Sequence, residues 1–74
     1  MLSDVIHDRI AGTFTGWDGE TSFKLTNGQI WEQASYAYWY HYAYRPEIII
    51  SNSSGRWLLQ LVGKDRQLHV RRVR

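Results

Sequence analysis

From Tyr36 to Tyr44 every second residue is a tyrosine, and this alternation restricts what the chain can fold into more than any other feature. Tyr36, Tyr38, Tyr40, Tyr42 and Tyr44 share one parity, while Ala37, Trp39, His41 and Ala43 fill the other. On a helix successive tyrosines would rotate by about 200° and scatter over the surface. In an extended strand all five rings lie on one face, about 6.5–7 Å apart along the chain. The segment 36–45 is therefore expected to be a strand with one tyrosine face.

The rest of the chain agrees with an all-β reading. No window of 11 or more residues keeps a helical period. Trp17-Asp18-Gly19-Glu20 and Thr26-Asn27-Gly28-Gln29 place Asp-Gly and Asn-Gly pairs between β-rich runs, which predicts type I′ turns, because those residues accept positive φ at least cost. Strands are expected near 9–17, 20–26 and 29–35 as a meander. Turns at Asn52-Ser53-Ser54-Gly55 and Gly63-Lys64-Asp65-Arg66 bracket further strands near 47–51, 56–62 and 67–73. Residues 2–10 are expected to hold a short helical turn, with Ser3 as N-cap and Leu2, Ile6 and Ile10 spaced by four.

Short strands at this spacing predict five or six strands in a small antiparallel meander, closing into a barrel that most resembles an SH3-like one. Residues 1–8 form a lead segment and 9–74 the single domain. Parity within each strand selects a core of Ile10, Phe14, Phe23, Leu25, Ile30, Ile48, Ile50, Leu59, Leu61, Leu68 and Val70. A two-residue Asn-Gly turn would pair Leu25 with Ile30 but also Phe23 with Glu32, so the reading carries an internal conflict. Either a bulge intervenes or Glu32 sits at a rim. The parity change between Val70 and Val73 likewise predicts a bulge near Arg71-Arg72.

With 74 residues the chain has room for one small domain, and such domains often rely on disulfides, a metal or a partner subunit. Cysteine is absent, which removes disulfides, thiolate catalysis and thiolate metal ligands together. No stretch approaches the roughly 18 apolar residues of a membrane span. The opening Met1 to Asp8 lacks a basic run followed by an apolar one, so a cytoplasmic chain is expected. Residues 1–55 carry net −3 and residues 56–74 net +5. The basic end can meet phosphate or an acidic partner, or it can pair with the acidic half within the sheet.

The usual chemical constellations are missing. His7, His41 and His69 have no second histidine or cysteine at ligand spacing, whereas zinc needs three or four convergent ligands. His41 with Glu47 or His69 is the nearest approach to a pair. Ser51, Ser53 and Ser54 beside Asn52 read as turn residues, without a nucleophile elbow. Gly12-Thr13-Phe14-Thr15-Gly16 lacks the Lys-Ser/Thr of a phosphate loop. Asp18 and Glu20 flank a turn rather than form a catalytic pair. No catalytic residue, cofactor or metal is expected.

The run Gly12 to Gln33 pairs a Gly-Trp-Asp-Gly hairpin with an Asn-Gly-Gln-Ile-Trp hairpin. It is followed by the tyrosine tract, Arg45-Pro46, Ile48-Ile49-Ile50 and the closing Leu68 to Arg74. In this it resembles a recurrent short bacterial all-β segment, over about residues 9–74, that also occurs as the tail of longer proteins. The resemblance implies a self-contained domain and no particular activity.

Three roles remain open for the tyrosines: packing within the domain, a contact between copies, or a platform for sugars, nucleobases or proline-rich peptide. The leading expectation is a non-catalytic interaction or self-association domain that assembles with copies of itself, a dimer first, or docks a protein partner through residues 36–45. Its contact residues are Tyr36, Tyr38, Trp39, Tyr40, His41, Tyr42, Tyr44 and Arg45. The alternative is a single-stranded nucleic-acid module in which Arg66, Arg71, Arg72 and Arg74 follow phosphates.

Overall fold

A computed structural model describes residues 5–74. Among them the chain forms eight strands and no helix: β1 Val5–Arg9, β2 Thr13–Trp17, β3 Ser22–Lys24, β4 Ile30–Gln33, β5 Trp39–Tyr44, β6 Glu47–Ser53, β7 Arg56–Leu61 and β8 Gln67–Arg72. All pairings are antiparallel. Six strands make one sheet in the order β1-β6-β7-β8-β4-β3, and β2 and β5 form a separate two-stranded ribbon.

Two expectations about connectivity are corrected. The segment 5–9 is a strand hydrogen-bonded to β6, with Ile6 opposite Ile50, and not part of a helical turn; Leu2 and Ser3 lie outside the described residues. Alternation decides it, since Ile6 is half-buried while Val5, His7 and Arg9 are more exposed or lie on the other face. The 9–17, 20–26, 29–35 meander is also absent, because β2 pairs with β5 rather than with β3. The Asp18-Gly19 segment is therefore a corner between sheets, and breaking the chain at such corners yields eight short strands instead of five or six.

The edge strands of the six-stranded sheet are linked through the residues that follow β1. Ile10 bridges Leu25, the Ala11 N–H donates to the Lys24 carbonyl at 2.8 Å, and the Thr26 N–H donates to the Arg9 carbonyl at 3.0 Å.

The Asn27-Gly28 loop differs from expectation by one residue. The Gly28 N–H donates to the Leu25 carbonyl and the Leu25 N–H to the Gln29 carbonyl, so three residues form the loop. Gly28 alone takes positive φ, at 92°, the arrangement of a type I turn closed by a bulge. The extra residue shifts the register so that Phe23 faces Trp31 and Ser22 faces Glu32. The conflict between Phe23 and Glu32 disappears, Trp31 enters the core, and Ile30 is only half-buried. Type I′ geometry is found instead at Ser54-Gly55, with φ of 55° and 82° between the paired Ser53 and Arg56. At the end of β8 the Val73 and Arg74 N–H groups both donate to the Ile30 carbonyl, a bulge two residues beyond Arg71-Arg72.

The remaining predicted core residues are buried, joined by Trp17 and Trp31. Phe14, Trp17, Phe23 and Trp39 form one aromatic cluster with centroid separations of 4.8–6.5 Å. That cluster fastens the β2–β5 ribbon to the larger sheet, so one face of the ribbon faces inward and the other is left to solvent.

Candidate functional site: the tyrosine-faced edge strand

The inward face of β5 carries Trp39, His41 and Ala43, each partly buried. Trp39 lies 4.8 Å from Trp17, and the His41 ring stacks parallel on Trp39 at 5.0 Å. His41 is thus occupied by an aromatic neighbour; Glu47 instead meets His7 at 2.6 Å and Arg9 at 3.5 Å. The outward face carries the tyrosines. All five are exposed, from 64% for Tyr38 to 83% for Tyr40. Packing within the domain therefore does not account for the ladder.

Only Tyr40, Tyr42 and Tyr44 lie on the strand proper; Tyr36 and Tyr38 precede it. These two are nonetheless held. Their hydroxyls share a 2.8 Å hydrogen bond, and their rings meet edge to face at 5.2 Å. The Tyr36 ring also rests on Gly19, where even a Cβ would come within 2.9 Å of it. The shared hydrogen bond, reinforced by the negative charges of Asp18 and Glu20, holds the Tyr38 hydroxyl above its ordinary pKa of 10.0.

Gln33 positions this lead-in. Its Oε1 accepts from the backbone N–H groups of Asp18, Gly19 and Thr21 at 3.2, 2.6 and 3.0 Å, and its Nε2 donates to the carbonyls of Ser35 and Ala37 at 3.2 Å each. One buried amide thereby ties the Asp18 corner to the segment entering β5. Nothing in the sequence around Gln33 marks it, because a lone glutamine carries no local signal. The register that puts Trp31 inside also puts Gln33 there, two residues on.

Gly16 lets the two strands of the ribbon approach. A Cβ there would sit 1.9 Å from the Trp39 carbonyl oxygen, and its φ is 101°. At the other end Arg45 takes φ 48° before Pro46, while its N–H donates to the Gly12 carbonyl and its carbonyl accepts from Arg9 Nη1. Arg45 is therefore a corner residue that turns the chain from ribbon to sheet.

Among the described residues β5 pairs only with β2, leaving its other edge without a strand neighbour. The basic candidates divide. The Arg66 guanidinium lies 5.9 Å from the Trp39 ring centroid. Arg71 donates through Nε to Glu32 at 2.6 Å, and Arg72 donates to the Arg74 carbonyl. These three belong with β4 and β8, whose neighbours do not include β5.

Among the described residues no group of three His, Cys, Asp or Glu side chains could hold a metal ion, and no helix is long and apolar enough to cross a membrane. No protein-family model, curated protein or solved structure matches the chain.

Proposed function

We propose that the chain is a non-catalytic interaction domain that associates with a second copy of itself through β5. The observation that carries this reading is the coincidence, on β5, of three exposed tyrosines, continued by Tyr36 and Tyr38 in the segment before it, with an edge that has no strand neighbour among the described residues. An exposed edge is a template for pairing, and tyrosine is enriched at the buried centres of interfaces. Two β5 strands laid antiparallel across a two-fold axis would use the same residues on both copies, the usual form of a homodimer contact. The Ile10–Leu25 link between sheet edges supports reading the six-stranded sheet as a small SH3-like barrel, with the β2–β5 ribbon carried on it.

Light scattering on the parent and on Tyr40→Asp tests the reading. A charge in a desolvated aromatic contact should cost about 2 kcal/mol or more in association. Tyr40 is exposed in the single chain, so the variant should keep its β-type circular dichroism while losing the dimer. An unfolded variant would place the tyrosine in packing instead.

The nucleic-acid reading has one supporting observation, Arg66 over Trp39. Failure to bind an oligonucleotide at about 50 mM salt, where phosphate contacts are strong, would remove it.

A further inference from the structure

Where the ribbon meets the Asp18 corner, a groove of about 380 Å³ opens between Thr15, Asp18 and Thr21 on one side and Tyr38, Trp39 and Tyr40 on the other. This volume lies at the lower end of the range of small-molecule pockets, so the lining rather than the size selects the ligand. We propose that this groove takes a guanidinium group, that of an arginine side chain or of a free guanidino compound. The inference goes beyond self-association and is tested separately from it.

The lining sets the chemistry. Electron-rich ring faces attract cations, and a guanidinium plane also stacks on them. The acidic member is Asp18. Its Oδ1 accepts from the Thr21 hydroxyl at 2.9 Å and from the Glu20 N–H at 3.3 Å, while Oδ2 takes part in neither bond. One oxygen thus fixes the carboxylate and the other is left to accept from an incoming N–H. The Thr21 and Glu20 donors also hold the carboxyl below its ordinary pKa, so it is charged at neutral pH. The Tyr38 hydroxyl on the opposite wall is raised first by its hydrogen bond to Tyr36 and least by the charges of Asp18 and Glu20.

One guanidinium of the chain already approaches a ring of this wall, Arg66 lying 5.9 Å from the Trp39 centroid. Trp39 also packs on His41 and Trp17, which leaves Tyr38 and Tyr40 as the rings for an incoming cation. The opposite wall is built to stay in place. Tyr38 is tied to Tyr36 by their shared hydrogen bond, and Tyr36 rests on Gly19. A quaternary ammonium would meet the rings but offer no N–H to Asp18. A neutral sugar would leave the carboxylate without a counter-charge.

Tryptophan fluorescence of the full chain, titrated with methylguanidinium at constant ionic strength, reads the groove directly. Saturable binding with a dissociation constant of about 1–10 mM is expected, the scale of one stacked and paired cation. Tetramethylammonium should bind at least about fivefold more weakly, since it lacks the donors. Asp18→Asn keeps the corner's acceptor oxygen but loses the charge, and should weaken methylguanidinium binding at least about fivefold. Tyr38→Phe keeps the ring but frees it from Tyr36 and should retain binding in weakened form, whereas Tyr38→Leu should lose it. A blocked arginine amide that binds like methylguanidinium identifies the side chain as a source; binding of methylguanidinium alone identifies the free compound. Sedimentation at the titration concentration records the oligomeric state independently, so loss of self-association leaves this result standing. Equal binding of tetramethylammonium, an unaffected Asp18→Asn variant, or no saturable response would each overturn the proposal.

Discussion

Gln33 is 7% exposed and makes five hydrogen bonds, three accepted and two donated, all to backbone groups of two different segments. Removing one partner from a part-buried network exposes the others to the cost of desolvation without compensation, about 1–3 kcal/mol for each group left unpaired. Gln33→Ala is expected to destabilise the domain by at least about 3 kcal/mol in urea unfolding. Gln33→Glu keeps the acceptor oxygen but loses the two donations to Ser35 and Ala37, so it should also be destabilising at neutral pH. Asp8 is the corresponding residue at the opposite corner. Burial raises its carboxyl, but hydrogen bonds from the Thr26 hydroxyl and from the Arg9 and Asn27 N–H groups outweigh this and leave it below 3.8. A group whose pKa is depressed on folding contributes its stability in full above the unfolded value, and loses it as pH falls through the folded one. Asp8→Asn should therefore reduce stability near neutral pH and flatten the loss of stability below about pH 4. Urea unfolding of both proteins across that range checks it, and an unchanged acid limb would rule out this role for Asp8.

At the scale of elements, two turns show how the local backbone decides register. Gly28 has φ 92° and nothing within 4 Å of where a Cβ would stand. Any cost of Gly28→Val is therefore backbone strain alone, at least about 1–2 kcal/mol. Gly28→Asn should recover much of it, since asparagine tolerates that region. Ser54 sits at φ 55° in the type I′ turn, so Ser54→Asn should stabilise the β6–β7 hairpin by about 0.5 kcal/mol, read as a small rise in Tm. These turns also mark what the sequence shows and what it hides. The alternation of Ile48 and Ile50, Leu59 and Leu61, and Leu68 and Val70 was legible because each strand buries one face. An Asn-Gly pair, however, fits both a two-residue loop and the three-residue loop found here, and only the burial of Trp31 separates them. The pairing of β2 with β5 was not legible at all. It depends on contacts across the chain, notably the close approach that Gly16 permits to the Trp39 backbone. The alternating tyrosines marked one face of β5 at Tyr40, Tyr42 and Tyr44, while Tyr36 and Tyr38 fall before the strand, and Gln33, which anchors that approach, left no pattern to read.

For the whole molecule, size and charge frame the functional reading. The radius of gyration is 11.3 Å, close to the roughly 11 Å expected of a compact chain this long. Compactness alone gives so short a domain a narrow stability margin, and no disulfide is available to widen it. The ion pairs of Arg9 with Glu47 and of Arg71 with Glu32 lie at the surface, each worth no more than about 1 kcal/mol. A second copy paired along β5 would set the two rows of exposed tyrosine rings side by side as cross-strand neighbours, so association and stability should rise together. The apparent Tm is accordingly expected to increase with protein concentration. Sedimentation equilibrium of the parent, from low to high micromolar concentration, tests the central claim most directly. The proposed contact through β5 predicts a reversible monomer–dimer equilibrium that Tyr40→Asp abolishes without loss of fold. A parent that remains monomeric at several hundred micromolar, a range in which even weak specific dimers form, would contradict it.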